Sequence, residues 1–242
     1  MKKLFLLFII LVGCEAVVPA PLDEIVEVSE VSEVPVMMYH YVRDVDRSKD
    51  SLGWNLSVSP ELFEEHLNVL WESGYESVGV ADLADGLVEE GSVVLIFDDG
   101  TVDFYETAWP LFRQYGFGAS IALVSDFIGS DGYMSREQIE ELVDGGIEIL
   151  GHSASHKDLR SADLQREVVE SKKALEEMFG VEVVGFVYPS GKYNSGVLGA
   201  IEEAGYEAAF TVKNGMADLS GDLFQLPRFR MDNREAFKKV RF

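Results

Sequence analysis

The sequence predicts an α/β fold in which parallel strands alternate with helices within one domain. Three observations support this prediction. Short apolar segments of strand length recur along residues 34–242, amphipathic segments of helical length separate them, and a glycine follows each helical segment. No linker rich in proline, glycine or serine and no internal repeat divides this range. Seven strands with intervening helices predict a barrel.

The candidate strands are short runs of β-branched and other apolar residues between turn-forming residues. In chain order they are Val36–Tyr39, Val93–Phe97, Gly118–Val124, Ile147–Leu150, Val183–Tyr188, Ala208–Val212 and Phe224–Arg230. In parallel α/β barrels the loops after the strands converge on one mouth, where catalytic residues lie. Polar residues that follow these strands are therefore candidates for function.

The helix after the first strand has the clearest boundaries. Ser59 supplies a hydroxyl cap, Pro60 suits the first helical position, and Gly74 ends the helix. Its predicted buried face consists of Phe63, Leu67, Leu70 and Trp71. His66 lies one residue off this face, and no function is assigned to it. Further helices are predicted near residues 104–115, 135–144, 162–179 and 195–204, closed by Gly116, Gly145, Gly180 and Gly205.

The beginning of the chain predicts export. Residues 1–13 combine two lysines with the apolar run Leu4–Val12, which is too short to cross a bilayer and is typical of a secretory signal. Leu11-Val12-Gly13-Cys14 resembles a bacterial lipoprotein signal, in which the chain is cut before the cysteine and the cysteine is acylated. An ordinary signal peptide with a chance cysteine is the alternative. Cys14 is the single cysteine, so an internal disulfide and a thiol nucleophile within the domain are excluded.

Charge restricts the partners. Residues 14–33 contain acids and prolines but no basic residue, so we predict an acidic tether before the catalytic domain at residues 34–242. The net charge of −23 repels phosphate backbones and anionic headgroups, so we expect no nucleic-acid partner and no membrane contact beyond a lipid anchor. A neutral or cationic partner is favoured, although solubility alone also explains the charge. We expect a monomer, lipid-anchored at the bacterial cell envelope in the periplasm or at the outer surface.

Two polar segments that follow candidate strands carry the most chemistry. Asp98 and Asp99 follow the second strand, and His152 and His156 follow the fourth. Adjacent carboxylates at the end of a buried strand are costly to leave unpaired, so they favour a cation or a shared proton. Asp99, His152 and His156 together offer a divalent ion three nitrogen and oxygen ligands and leave a fourth position for water, as catalytic zinc sites do.

Each of these motifs has a simpler explanation when it is taken alone. An acidic pair is most often a solvated turn or a helix cap, and two histidines four residues apart are more often surface or core residues than ligands. Their joint position at strand ends favours the metal site. We predict zinc, with cobalt, nickel, iron or manganese as alternatives, because one carboxylate and two imidazoles do not discriminate sharply among these ions.

The order of the motifs resembles that of a known family. Phe97-Asp98-Asp99-Gly100, then His152-Ser153-Ala154-Ser155-His156, then Tyr188-Pro189-Ser190-Gly191 are similar to the motifs of the NodB-homology polysaccharide deacetylases, carbohydrate esterase family 4. Residues 117–120 and 126–129 are similar to the linking pieces of this family, so the resemblance covers nearly all of residues 34–231. It implies a distorted (β/α)7 barrel and metal-dependent removal of acetyl groups from N-acetylated sugars.

One branch of the family is particularly similar. Met37-Met38-Tyr39-His40-Tyr41-Val42 and Leu226-Pro227-Arg228 resemble the exported poly-N-acetylglucosamine deacetylases, in which the acid-bearing histidine lies near the start of the domain. No histidine follows His156 in this chain, so His40 is the candidate for that role. A packed histidine without a catalytic role is the alternative.

The chain departs from the family pattern at the third motif. Many members carry an arginine just before the proline of that motif, where it orients the base carboxylate, whereas Tyr188 precedes Pro189 here. We predict that Arg228 replaces this arginine, because a guanidinium can bind the carboxylate of Asp98 with two donors. The alternative is that Arg228 pairs structurally with another of the many acids.

Amide hydrolysis requires an activated water, a stabilised oxyanion and a proton for the departing nitrogen. The resemblance to the deacetylase family implies a candidate group for each requirement. The cation would activate the water and polarise the acetyl carbonyl, while Asp98 would accept a proton from that water. The oxyanion would be stabilised by the cation and by a backbone N–H of Tyr188-Pro189-Ser190, namely that of Ser190. His40, as an imidazolium, would protonate the amine.

The predicted function is removal of N-acetyl groups from a glycan that contains N-acetylglucosamine, either an exopolysaccharide or peptidoglycan. One alternative is a glycan-binding module with a degenerate catalytic site, because the motif arginine is missing. Another is a metal hydrolase that acts on a small non-sugar amide. Trp54, Tyr188 and Tyr193 either line a sugar groove or pack in the core.

Overall fold

The polypeptide folds into a curled parallel sheet with helices packed against it. The structure, a computed structural model, describes residues 31–234. The predicted signal at residues 1–13, the cysteine at position 14 and all but the last three residues of the predicted tether lie outside this range. Among the helices between residues 31 and 234, none has both the length and the apolar character needed to cross a membrane.

The sheet contains all seven predicted strands. The strands of the described range are β1 (Glu33–Val34), β2 (Val36–Tyr39), β3 (Tyr41–Val42), β4 (Ser57–Val58), β5 (Glu76–Ser77), β6 (Ser92–Phe97), β7 (Ser120–Leu123), β8 (Glu148–Gly151), β9 (Gly185–Val187), β10 (Ala208–Phe210), β11 (Ala217–Asp218) and β12 (Phe229–Arg230). The main sheet runs in the order β10-β9-β8-β7-β6-β2-β12, and β5 pairs with the beginning of β6. Every pair along this sheet is parallel, as predicted.

The segment at residues 226–230 joins the two ends of the sheet. Leu226 pairs in parallel with Phe210 of β10, and its N–H donates to the carbonyl oxygen of Ala209 over 3.0 Å. The following strand β12 pairs with β2. This segment closes the barrel, so the predicted (β/α)7 architecture is confirmed. The predicted start of the last strand is wrong, because Leu223–Gln225 form a 3₁₀ turn instead.

The α-helices of the described range are α1 (Ser51–Leu56), α2 (Pro60–Glu72), α3 (Val80–Ala84), α4 (Trp109–Tyr115), α5 (Arg136–Asp144), α6 (Ser171–Phe179) and α7 (Ser195–Glu203). Helices α4 and α6 continue π-helical turns at Phe104–Ala108 and Gln165–Glu170. The five predicted helices are confirmed. Helices α1 and α3 contain six and five residues, too few to show the apolar periodicity from which a helix is predicted.

Helix α2 begins as predicted but buries a slightly different face. The hydroxyl of Ser59 accepts a hydrogen bond from the N–H of Leu62 over 3.2 Å. The prediction that Trp71 is buried is wrong, because 62% of this residue is exposed. On a helical wheel with about 100° per residue, Trp71 lies about 80° from Phe63, at the margin of the apolar face. His66 occupies the opposite margin and is buried instead.

His66 supports the interior of the barrel. Its Nδ1 lies 3.1 Å from the hydroxyl oxygen of Tyr39, and burial lowers the pKa of His66 to about 4. The ring of Tyr39 stacks on that of Phe97 with 4.8 Å between the centroids. Because His40 and Asp98 follow these two aromatic residues in the chain, the stacked pair fixes the strand ends that carry both candidate catalytic groups.

The chain enters the barrel at the end opposite to these residues. Strand β1 lies just before β2 and pairs antiparallel with β11, so that Glu33 is opposite Asp218. Val34 is fully buried. Glu33, the last residue of the predicted tether, is therefore part of a two-stranded sheet at the N-terminal ends of the barrel strands.

Candidate active site

Seven of the predicted site residues meet at the C-terminal ends of the parallel strands. A cleft of about 300 Å³ opens there, and its lining includes His40, Asp98, Asp99, His152, His156, Tyr188 and Ser190. Strands β2, β6, β8 and β9 each end directly before one of these groups. The convergence expected from a parallel barrel is therefore present.

Three side chains in the cleft form a group suited to a metal ion. The nearest ligand atoms of Asp99, His152 and His156 all lie within 4.8 Å of one another. Oδ1 of Asp99 is 3.4 Å from Nε2 of His152 and 3.6 Å from Nε2 of His156. Ligands about 2.1 Å from a tetrahedral ion are about 3.4 Å apart, so these spacings fit zinc or an ion of similar size.

The orientation of His152 also fits a metal ligand. Its Nδ1 lies 2.7 Å from the carbonyl oxygen of Val187 and donates to it, which leaves Nε2 as a lone-pair donor directed to Asp99. Burial by itself would lower the pKa of His152, but the carboxylate of Asp99 raises it above the usual value. Burial would likewise raise the pKa of Asp99, but His152 holds it at about 2. The negative charge that attracts a proton to this imidazole also attracts a cation.

Backbone strain is concentrated at the cleft. Within residues 31–234, the non-glycine residues with positive φ are Asp99 (77°), Ser153 (65°), His156 (55°) and Ser190 (53°). Such conformations are unfavourable for residues with a Cβ and persist only where the surrounding structure enforces them. All four belong to the motifs that follow β6, β8 and β9. The fold therefore holds these loops in conformations that the free chain avoids.

Asp98 is bound by a single arginine. Arg228 donates from Nη1 to Oδ1 over 2.7 Å and from Nη2 to Oδ2 over 2.9 Å, and both side chains are buried. Nε of Arg228 donates to the carbonyl oxygen of Thr211 over 3.0 Å, which fixes the guanidinium. Burial alone would raise the pKa of Asp98, but Arg228 outweighs it and the pKa lies below its usual range. The predicted two-donor contact is confirmed, whereas its role in turnover stays a prediction.

His40 lies beside Asp98. Its Nε2 is 3.9 Å from Oδ2 of Asp98, and its Nδ1 is buried without a hydrogen-bond partner in the described part of the chain. Burial lowers the pKa of His40; Asp98 and Asp99 oppose this effect, while Arg228 and Arg230 reinforce it. The lowered pKa favours a neutral His40 at rest, whereas an imidazolium is expected from the sequence as the proton donor, and that role stays a prediction. To act as an acid, it must take up a proton during the reaction.

The third motif forms a turn at the edge of the cleft. Strand β9 ends at Val187, and Pro189–Gly191 form a 3₁₀ turn whose middle residue, Ser190, is exposed and lines the cleft. Ser190 lies close to the candidate metal ligands because β9 neighbours β8 in the sheet. Its backbone N–H as an oxyanion donor stays a prediction.

The aromatic residues near the cleft are mainly engaged in packing. Tyr188 is 1% exposed, its hydroxyl donates to the carbonyl oxygen of Phe224 over 2.9 Å, and its ring stacks on Tyr193 at 4.6 Å. The guanidinium of Arg47 lies 4.6 Å from the ring centre of Trp54. The sequence left open whether these residues line a sugar groove or pack in the core, and Tyr188 packs in the core.

Glu167 supports the loop of the two histidines, although no sequence motif indicates it. This glutamate is 1% exposed. Its carboxylate accepts hydrogen bonds from the N–H of Ser155 over 2.8 Å, from the Ser155 hydroxyl over 2.7 Å and from Nη1 of Arg166 over 2.9 Å. Its carbonyl oxygen accepts from the N–H of Ala154 over 3.1 Å. Glu167 therefore positions the loop in which His156 adopts its strained backbone conformation.

We predict that Glu167→Gln weakens divalent-cation binding about tenfold, the usual effect of removing a group that orients metal ligands. Glutamine keeps one acceptor for Ser155 but loses the second acceptor and the charge. Competition with a metal chelator measures the affinity without any turnover. Glu170→Gln, at an exposed position in the same π-helical turn, is the matched control. An unchanged affinity in a folded Glu167→Gln variant would contradict this role.

Arg230 is a second group in the cleft that no motif indicates. It lies two residues after Arg228, and because side chains alternate along an extended segment, both point to the same side, with Arg230 nearer the mouth. Its Nε is buried and makes no hydrogen bond within the described part of the chain. Arg230 therefore presents an uncommitted donor to the cleft.

The comparison with known proteins agrees with this geometry. A family model described as polysaccharide deacetylase matches residues 85–209. The matched range contains the acidic pair, the histidines of the ligand group (His152 and His156) and the third motif, but neither His40 nor Arg228. YxkH of Bacillus subtilis, which is named for the same family, is 30% identical over 208 residues, covering 83% of this chain and 72% of that protein.

A further relative is named for a specific glycan. The poly-β-1,6-N-acetyl-D-glucosamine N-deacetylase of Staphylococcus epidermidis is 21% identical over 231 residues, covering 84% of this chain and 80% of that protein.

Solved structures show the same fold. The deacetylase PplD of Streptococcus pyogenes, in complex with acetate, superposes with a TM-score of 0.80 at 25% identity, covering 85% of this chain and 95% of that one. A polysaccharide deacetylase from Bacillus cereus gives a TM-score of 0.79 at 25% identity, covering 86% and 67%. Because the family model spans more than half of the chain and the similarity to YxkH extends over most of both proteins, the chain belongs to the polysaccharide deacetylase family.

Proposed function

We propose that this protein is a metal-dependent N-deacetylase that removes acetyl groups from a glycan containing N-acetylglucosamine. The observation that carries the proposal is the arrangement at the barrel mouth. The three-residue ligand group Asp99, His152 and His156 shares one cleft with Asp98, a buried carboxylate that Arg228 holds ionised. A glycan-binding module has no need of such an ionised carboxylate beside a ligand group.

Asp99, His152 and His156 would hold the cation, with zinc preferred over cobalt, nickel, iron or manganese. When bound, the cation supplies Lewis acidity, which polarises an acyl oxygen and lowers the pKa of water. Asp98 accepts the proton that water loses as it attacks the acetyl carbonyl. The backbone N–H of Ser190 donates to the oxyanion that develops.

The departing nitrogen needs the proton that the attacking water gives up. Oδ2 of Asp98 receives that proton, and Nε2 of His40 lies 3.9 Å from it. Neutral His40 can take the proton from Asp98 and deliver it to the nitrogen, so the net reaction is amide plus water to amine plus acetic acid, which ionises to acetate. This relay needs no resting imidazolium, which agrees with the lowered pKa of His40.

The substrate is a GlcNAc-containing exopolysaccharide, with peptidoglycan as the alternative. The name of the Staphylococcus epidermidis relative supports poly-β-1,6-N-acetylglucosamine, and the acetate complex of the Streptococcus pyogenes protein supports release of acetate. The net charge of −23 is compatible with a product whose free amines are cationic.

We propose that the enzyme is a lipoprotein attached to the cell envelope through Cys14 after residues 1–13 are removed. The Leu-Val-Gly-Cys sequence and the basic, then apolar, beginning of the chain support this location. Mass spectrometry of the protein from membranes is expected to show an acylated cysteine at the new amino terminus. Secretion of an unmodified chain cut at another site would contradict the anchor.

The function is tested by acetate release from β-1,6-linked and β-1,4-linked N-acetylglucosamine oligomers. We expect acetate from at least one series and loss of activity after chelation. Activity should recover when a divalent cation is returned, because the fold itself holds the three side chains of the ligand group in place. If no acetate appears with any of the five candidate metals while the oligomers still bind, the protein is a glycan-binding module instead.

A further inference from the structure

A second groove lies at the end of the barrel opposite to the catalytic cleft. Its volume is about 400 Å³. Its lining includes the aromatic residues Trp71, Tyr75, Tyr115 and Phe117. Glu76 of β5 also borders it, and β5 pairs with the first residues of β6. Because Asp98 follows the last residue of β6, the groove and the cleft are separated by the length of this strand.

The groove offers an accessible aromatic surface. Trp71, in the last turn of α2, is 62% exposed. Tyr115, the last residue of α4, is partly exposed beside it. The face of an indole ring is large, rigid and apolar, and it packs well against the C–H face of a pyranose ring.

The groove is also electrostatically negative. Helices α2 and α4 both end at it, and the C-terminal end of a helix carries a partial negative charge. The last turn of α2 contains no basic residue, Glu76 lines the groove, and Glu72, next to Trp71 in the chain, is exposed. Burial raises the pKa of Tyr115, and the nearby carboxylates of Glu64 and Glu72 act in the same direction. Such a field favours a cation over a neutral or anionic ligand.

The basic residue nearest in sequence to this groove is engaged with an aromatic ring outside it. Arg113, in the last turn of α4, has its guanidinium 4.3 Å from the ring centre of Trp109. Trp109 does not belong to the groove. The carboxylate of Glu76 and the exposed face of Trp71 are therefore available together, which is the combination that binds an ammonium group beside a ring.

We propose that this groove binds an amine-bearing sugar unit of a de-N-acetylated glycan, with the sugar ring on Trp71 and the ammonium group near Glu72 and Glu76. The proposal rests on the proposed function, since such units are the product of N-deacetylation. An acetylated unit gains only the ring contact, whereas a glucosamine unit also gains the charge interaction. The groove would thus hold the processed part of the polymer while the cleft acts on another part.

The test uses the Asp98→Asn variant, so that no ligand is converted. Glucosamine and N-acetylglucosamine tetramers are titrated into it, with binding followed by calorimetry and tryptophan fluorescence. We expect the glucosamine tetramer to bind about tenfold more tightly, and this preference to weaken with added salt. Adding Trp71→Ala should lower that affinity about tenfold, while Trp71→Phe should retain most of it. Leu87→Ala, at an exposed apolar position that lines neither the groove nor the cleft, is the matched control and should have little effect.

Equal binding of both tetramers, or an unchanged affinity in the Trp71→Ala variant, would overturn the proposal. Loss of a dimer in sedimentation experiments on Trp71→Ala would also overturn it, because the groove would then contact a second copy. Acetate release from a disaccharide by Trp71→Ala alone should equal that of the wild type. Glucosamine binding by a protein that releases no acetate would reject the proposed function but keep the site, so the two failures are distinguishable.

Discussion

Replacing Asp98 with asparagine is expected to lower the rate of acetate release about a thousandfold, because the variant lacks the carboxylate that accepts a proton from water. Asparagine has nearly the same shape and retains one oxygen for Arg228. The residues of the ligand group are unchanged, so the affinity for a divalent cation should stay close to that of the wild type. Acetate assays and calorimetric cation titrations on the same preparation measure both quantities.

Asp99→Asn is the matched control for this experiment, because it alters the neighbouring carboxylate. We expect this variant to lose cation affinity together with activity, since Oδ1 of Asp99 faces both Nε2 atoms of the ligand group. The roles of the two carboxylates would be wrongly assigned if Asp98→Asn lost the cation and Asp99→Asn kept it.

Replacing Arg228 with methionine is expected to affect both turnover and stability. The side chains of Arg228 and Asp98 are 0% and 4% exposed, so methionine leaves a buried carboxylate without its partner. Breaking a buried pair in this way costs about 3–5 kcal/mol of the free energy of unfolding. For a chain of this size, the melting temperature should fall by about 10 °C. Turnover should fall as well, because Asp98 loses both donors that orient it.

Two further variants separate positioning from stability. Arg228→Lys keeps the charge but cannot provide two parallel donors, so it should retain more stability than the methionine variant while turnover stays low. The double variant Asp98→Asn with Arg228→Met should be less destabilised than the sum of the single variants, because no charge remains buried. Cation content should be unchanged in Arg228→Met. Wild-type turnover in a folded Arg228→Met variant would show that Arg228 has no role in the site.

Much of the site was predictable from the sequence, because most of its residues directly follow the ends of apolar strands. Asp98, Asp99 and His152 follow apolar runs that fold as β6 and β8, and parallel strands bring such positions to one mouth. The contact of Arg228 with Asp98 was predictable for a different reason. A buried carboxylate requires a partner, and the position where the family pattern described in the sequence analysis expects an arginine holds Tyr188 here.

The remaining features depend on packing between distant parts of the chain. Glu167 lies in a helical turn that resembles any exposed helix in sequence, and only the approach of that turn to Ser155 gives its carboxylate a role. Trp71 shares the spacing of buried residues on α2, yet the neighbouring elements leave it at the margin of the interface. Periodicity predicts which residues share a face, but it does not predict how wide the covered part of that face is.

The chain enters the barrel through β1, at the end opposite to the cleft, and this entry point bears on the proposed lipid anchor. Glu33 pairs with Asp218 at the N-terminal ends of the barrel strands, so a lipid on Cys14 would hold the molecule by its base and leave the cleft directed away from the bilayer. The residues between Cys14 and β1 can extend over at most about 65 Å, which would limit how far from the membrane the cleft of an anchored protein can work. Polymer strands within that distance of the membrane would then be the material within reach of an anchored enzyme.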